Sequence, residues 1–241
     1  MAKMLTGAGK AASPKRRGEE NHRVRVGRER SARTRRQLLD SVLVMYSSET
    51  SSAPTMIDDI VKHAGVSRGT FYTHFDTVEQ IVAEAGSMLA DEMVGDARLV
   101  FEGLESAMAR TATGILLFLT RALFDEHWGG FIVRAGLLRE ENPLSQDIRA
   151  DIARGVEAGQ YSVRNALAAS DMIFGTVVEA ILRINQGHRS TRYIRDITEM
   201  VLHALGVDSA EADHVVAQSF ERLTRIAPTQ LNWWKNPDGA S

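Results

Sequence analysis

Between positions 67 and 74 the chain reads Ser-Arg-Gly-Thr-Phe-Tyr-Thr-His, a run in which hydrogen-bonding side chains surround one aromatic anchor. On a helix, Phe71 shares a face with Phe75, and Arg68, Gly69, Thr70, Tyr72, Thr73 and His74 are left facing outward. Those residue types suit the surface of a DNA duplex. Arg68 carries a forked guanidinium able to pair with a guanine, Gly69 permits close backbone approach, and Thr70 and Thr73 can touch base edges or phosphates. Tyr72 and His74 suit phosphate positioning, which sets register without reading sequence. The alternative is a helical hairpin of any all-helical protein with an exposed polar face.

The residues before this run supply the element that must position it. From Thr55 to Phe75 the sequence predicts two short helices joined by a glycine turn. Thr55 can cap the first helix, with Asp58 reaching back three residues on, and Ile57, Ile60, Val61 and Ala64 fall on one buried stripe. Gly65 supplies the left-handed residue that ends the helix. Ser67 can cap the second helix, and Val66 can pack on Phe71 as a hydrophobic staple.

This segment resembles the N-terminal DNA-binding domain of the tetracycline-repressor (TetR) family of bacterial transcription regulators. The match runs from about Arg33 to Ile81 and is most specific at Ala64-Gly65-Val66-Ser67-Arg68-Gly69-Thr70-Phe71-Tyr72 and His74-Phe75. Val61 departs from the family's usual alanine. Val78 stands where the family usually has a phosphate-touching lysine, which shifts the expected grip to other basic residues. The resemblance implies an all-α fold of about nine to ten helices: an N-terminal three-helix helix-turn-helix domain and a larger C-terminal helical domain for ligand binding and dimerisation. It also implies that the helix from about Ser31 to Ser47 begins near the DNA backbone. The expected DNA-contacting set is Arg33, Arg36, Thr55, Ser67, Arg68, Gly69, Thr70, Tyr72, Thr73 and His74.

Charge is distributed unevenly along the chain. Residues 1–36 carry a net +9 and the remaining residues a net −11, although the whole chain sums to −2. Residues 1–28 are basic and poor in apolar side chains, so they are expected to be a disordered arm. Such an arm adds salt-dependent affinity for DNA, or else it is an idle, solubilising tail. The expected division is then 29–76 for the helix-turn-helix domain, 77–228 for the effector-binding and dimerisation domain, and 229–241 for a tail.

After Phe75 the pattern is helical almost throughout, with Thr77 and Gln80 as a capping pair at the start of a long fourth helix. Pro143 suits a first helical position, and Asp208 with Glu211 opens the last helix. Two late helices carry apolar residues on more than one side, which requires burial on both. Ile173, Val177, Ile181, Ile184, Ile197, Val201 and Leu205 are therefore expected to meet a second copy in a two-fold dimer, the alternative being a fully buried helix pair. Met108, Phe118, Arg121, Phe124, Trp128, Phe131, Phe174 and Glu179 are the expected effector pocket, a mostly apolar set with a few polar groups. Plain core packing is the competing reading for each aromatic.

Catalysis is not expected. The seven histidines show no metal-ligand spacing, cysteine is absent, and no phosphate-cradling or nucleophile-elbow motif occurs. No cofactor and no metal are expected. The chain reads as a cytoplasmic transcriptional regulator with a DNA operator, a second copy of itself and a small apolar effector as partners, and no membrane. The alternative function is a DNA-tethered protein-interaction module of the same fold.

Overall fold

The computed structural model describes residues 14–47, 56–137 and 143–235, with side chains from residue 24 onward in the first segment and from 145 onward in the last. Among the described residues there are ten helices and no strand. They are α1 (Pro14–Ser47), α2 (Ile57–Ala64), α3 (Arg68–His74), α4 (Val78–Phe101), α5 (Ala107–Phe124), α6 (Glu126–Arg134), α7 (Pro143–Glu157), α8 (Ala166–Asn185), α9 (Thr191–Ala204) and α10 (Ser209–Gln230).

Helices α1 to α3 form a small unit around Leu38, Val42, Ile60, Phe71 and Phe75, all essentially inaccessible to solvent. Ile60, Phe71 and Phe75 sit on the faces expected of them. The unit rests on the larger bundle through α1, which packs on both α4 and α6. One expectation fails here. The arm expected to be disordered over residues 1–28 is helical from Pro14 onward, while residues 1–13 lie outside the described residues. The reason is cooperative: the buried turns around Leu38 and Val42 nucleate the helix, and further residues add to it at little cost. The run from 14 to 33 is rich in Arg and Glu, which are good helix formers, and Arg25 reaches Glu29 one turn on at 3.7 Å.

Helix α5 lies at the middle of the larger unit, packed against α4, α6, α7, α8, α9 and α10. It is long and apolar enough to cross a bilayer by length and composition, yet most of it is buried inside the bundle. An all-round apolar helix belongs where every face has a partner. Helix α4 joins the two units, packing on α1 and also against α7 and α10. The last helix continues to Gln230 and the chain then folds back, with Leu231 buried.

Candidate nucleic-acid interface and effector cavity

Local signals place the exposed face of α3. Helix α2 starts one residue later than expected: Met56 holds the capping position, and its N–H donates to Asp59 Oδ2 at 3.1 Å. Asp59 thus takes the part expected of Asp58, whose carboxylate accepts from Arg68 at 3.1 Å. Thr55 lies outside the described residues. Gly65 has φ 67°, the left-handed turn that glycine adopts without a Cβ penalty. Ser67 Oγ accepts from the Thr70 N–H at 3.1 Å and also lies 2.9 Å from the Thr70 hydroxyl. Beneath the helix the Phe71 and Phe75 rings pack 5.9 Å apart.

What remains outward matches most of the expected set. Arg68, Gly69, Tyr72 and Thr73 are exposed, and Thr70 and His74 are half-buried. Tyr72 and then Asp58 raise the Arg68 pKa above its already high ordinary value, so the guanidinium is a fixed cation. Its pair with Asp58 is fully in solvent and therefore weak, easily exchanged for a nucleobase or phosphate. A Cβ on Gly69 would meet only Ser67 Oγ, at 3.7 Å. The protein itself does not need glycine there. The Thr73 hydroxyl donates to the Gly69 carbonyl at 3.0 Å, which turns its methyl outward.

Arg33, Arg35 and Arg36 of α1 separate into three roles. Arg33 is exposed. Arg36, expected on DNA, pairs with Asp40 at 2.9 Å and reaches the Met88 sulfur at 3.6 Å, inside an open cleft between α1 and α4. Arg33 lies on nearly the same face, so it is the partners Asp40 and Met88, not helix rotation, that hold Arg36 against α4. Arg35 belongs to the same basic helix start in the sequence, which does not reveal its partners. It donates to Glu84 Oε1 at 2.8 Å and with a second nitrogen to Oε2, gives a third bond to the His74 carbonyl at 2.9 Å, and lies 4.3 Å from the centre of the Phe75 ring. One side chain therefore ties α1, the end of α3 and α4 together. Val78, at the start of α4, is half-buried against the core, an environment that suits its apolar side chain.

A second junction joins the small unit to α6. The Ser47 hydroxyl and His127 Nδ1 lie 3.0 Å apart, Tyr46 packs on Phe131 at 5.6 Å, and Arg134 lies 4.9 Å from the Tyr46 ring centre. Gly130 stands directly against the Ser47 backbone.

Between α4, α5, α7 and α8 lies a cavity of about 100 Å³. Phe101, Ile115, Phe118, Ile173, Phe174 and Val177 form its apolar wall, and Arg110 with Asp151 forms a polar end. Asp151 accepts from Arg110 at 2.7 and 3.3 Å and also from Arg154, while the Arg110 guanidinium lies 4.5 Å from the Phe101 ring centre. Arg98 and Asp147 stand at the rim, and neither has an ion-pair partner among the described residues.

Only Phe118 and Phe174 of the expected pocket line this cavity. Met108 is half-buried, with its N–H directed at Gln160. Arg121 is buried in a pair with Glu92 at 3.3 Å and lies 4.6 Å from the Trp233 ring centre. Phe124 packs on Trp233 and Trp234, Trp128 packs on Phe118 from behind, and Phe131 belongs to the junction with Tyr46. Glu179 points to solvent and pairs with Arg183 at 2.9 Å. The composition of the interior is readable in the sequence, but not which helical face turns toward the void. Arg110 and Asp151 were missed because they are 41 residues apart and pair only across α5 and α7.

The expected dimer face is corrected in the same way. Ile173, Val177, Ile181, Ile184, Val201 and Leu205 are buried inside the single chain, and Ile197 is half-buried. The apolar residues that α8 and α9 leave in solvent are others. Leu167 and Met200 are 59% and 64% exposed, with Val178, Leu182 and Tyr193 half-buried. The segment after α10 packs back as far as Lys235: the Trp233 indole donates to Asp96 Oδ2 at 2.7 Å, and Lys235 Nζ donates to the Phe124 carbonyl at 2.9 Å.

Comparison with known proteins agrees with this architecture. Residues 50–85 match the family described as bacterial regulatory proteins, tetR family, and residues 107–218 match the tetracyclin repressor-like C-terminal domain. An uncharacterized HTH-type transcriptional regulator of Haemophilus influenzae is 25% identical over 197 residues, covering 74% of this chain and 92% of the relative. Among solved structures, RolR in complex with resorcinol superposes with a TM-score of 0.59 at 22% identity, covering 79% of this chain and 96% of RolR. FadR from Bacillus subtilis in complex with stearoyl-CoA gives 0.56 at 20% identity, covering 69% and 96%. A gamma-butyrolactone receptor, ArpA-like, gives 0.57 at 15% identity, covering 82% and 99%. At these identities the structures share the fold.

Proposed function

We propose that this chain, which belongs to the tetracycline-repressor family of bacterial transcriptional regulators, is a homodimeric repressor released from a palindromic operator by a small, mostly apolar effector. The observation that carries the reading is the path of α4. Its first half supplies Glu84 to the Arg35 junction that holds the recognition helix α3, and its second half supplies Val94, Ala97 and Phe101 to the cavity wall. A ligand that fits the cavity in one tilt of α4 better than in another shifts the population of the two, and the same difference weakens or strengthens DNA binding.

The effector class follows from the cavity. About 100 Å³ suits a single ring, since an engineered apolar cavity of about 150 Å³ accepts benzene. The Arg110–Asp151 pair offers one donor side and one acceptor side for a hydroxyl or carbonyl on that ring. Resorcinol, the ligand in the RolR complex, has this chemistry. A long acyl chain such as that of stearoyl-CoA, held by FadR, requires a larger space than this state of the protein holds.

Reading a palindrome requires two recognition helices about one DNA turn apart, roughly 34 Å. We assign the seam between the two copies to the outer face of α8 and α9, where Leu167, Val178, Leu182, Tyr193 and Met200 are accessible. The rival, a DNA-tethered module for another protein, calls for a separate apolar face beyond this one. A DNA-bound regulator of this kind works in the cytoplasm, beside the bacterial chromosome.

The test is fluorescence anisotropy of DNA from upstream of the chain's own coding region, titrated with and without a panel of monocyclic phenols and aromatic ketones. A cavity-filling Ala97→Phe variant should bind the DNA as the natural chain does and lose its response to the active compound. If that variant is released as readily as the natural chain, the cavity is not the effector site.

A further inference from the structure

From residue 24 to Arg33, α1 buries almost nothing. Of residues 24 to 33 only Val26 is even partly covered; Val24 is 51% exposed, and Arg25, Arg28, Arg30 and Arg33 all stand in solvent. Arg28, Arg30 and Arg33 have no ion-pair partner among the described residues, and Arg25 lies 3.7 Å from Glu29. The sequence from Pro14 to Arg23 adds Lys15, Arg16, Arg17 and Arg23 against Glu19 and Glu20. A helix polar on every side gains no stability from packing. Positive charge gathered toward a helix N-terminus also opposes the helix dipole. Both costs fall when a polyanion lies alongside.

Position identifies the polyanion. The helix leaves the folded unit at Arg35, whose guanidinium bonds the carbonyl of His74, the last residue of the recognition helix. The protruding segment therefore starts beside the end of the element that enters the DNA groove. From Arg33 back to Pro14 it spans about 30 Å at 1.5 Å per residue, close to one helical turn of DNA.

Resting on the operator-binding reading above, we infer that the protruding half of α1 is a second DNA-binding element, a rigid basic helix that contacts the phosphates of the duplex flanking each half-site. Contacts made to phosphates contribute affinity rather than sequence preference. It also explains how a chain with valine at position 78 grips its operator: the basic residues are on α1 instead.

The experiment compares the full chain with the full-length triple variant Arg28→Gln, Arg30→Gln, Arg33→Gln on two duplexes. One carries the operator located within the upstream DNA with its natural flanks, and the other is trimmed to the half-sites. The natural chain should bind the flanked duplex more tightly than the trimmed one, and the variant should not distinguish them. On the flanked duplex the slope of log affinity against log salt should fall by about 0.9 for each phosphate that is no longer neutralised. Preference for operator over scrambled DNA should stay within about twofold, and far-UV circular dichroism should show the helix retained. Equal salt slopes and equal flank dependence for the two proteins would overturn the inference while leaving the operator reading intact. Failure of the natural chain to bind any upstream DNA would remove both.

Discussion

A Cβ placed on Gly130 would sit 2.7 Å from the carbonyl oxygen of Ser47, so α6 rests on the end of α1 at a separation that only glycine permits. Gly130→Ala must push apart helices from the two units. The expected cost is about 1–3 kcal/mol, the usual range for overpacking, read from urea unfolding. Operator affinity should also respond less to effector. An unchanged midpoint together with an unchanged response would show that the junction yields freely.

Arg35 is held by Glu84 and the His74 carbonyl of the same chain, and its loss should weaken DNA binding by releasing the recognition helix. Arg35→Ala leaves the Glu84 carboxylate and the His74 carbonyl without their donors. Both side chains of the ion pair are about one-third exposed, so the stability cost is about 1–2 kcal/mol rather than that of a buried pair. Arg35→Lys should recover less than half of the operator affinity, because an ammonium cannot reproduce the fork. Full recovery with lysine would show that only charge matters at this position.

Gly69→Ala separates folding from recognition. With only Ser67 Oγ at 3.7 Å from the added methyl, the variant should be as stable as the natural chain or more stable by up to about 1 kcal/mol, the helix-propensity difference. Operator affinity should fall about tenfold or more, corresponding to roughly 1.4 kcal/mol, because the methyl meets the duplex. Equal operator binding in anisotropy would place Gly69 off the DNA.

Tyr161 links α5 and α7. Its hydroxyl donates to the Ala107 carbonyl at 3.1 Å, and its ring fills the space beside Gly155, where a Cβ would come within 2.2 Å. Burial pushes its pKa up from 10.0 to about 12. Since the folded value lies above the unfolded one, the stability it supplies is complete below about pH 10 and is lost as pH rises through about 12. Tyr161→Phe should cost about 0.5–1.5 kcal/mol near pH 8, and the gap to the natural chain should close above about pH 10. A gap constant with pH would exclude this linkage.

The parts of the fold that were legible in the sequence are those set by neighbouring residues. Gly65, Ser67 and the Phe71–Phe75 pair act within a few positions of one another, so turn, cap and anchor could be read directly. Which residues line the cavity and which stay in solvent on α8 and α9 depend on rotation about helix axes and on packing between distant segments. Phe118 and Phe124 lie on one helix with similar chemistry, yet one faces the void and the other faces Trp233 and Trp234. Ile173 and Val178 are likewise both apolar, and only the packing of α5 against α8 decides that the first is inside. Arg33, Arg35 and Arg36 show the same limit within one turn of helix: identical chemistry, three destinations.

Helix α1 is continuous from Pro14 to Ser47, about 50 Å at 1.5 Å per residue, with its C-terminal end against Gly130 and its contact to the recognition helix at Arg35. It is therefore a lever with its fulcrum near Arg35. A tilt of about 5° at the α6 end carries the far tip sideways by roughly 2–3 Å over the 30 Å beyond that pivot, comparable to the length of a hydrogen bond. If α1 grips the flanking phosphates as inferred above, small movements at the α6 end would be converted into the making or breaking of whole phosphate bonds outside the half-site.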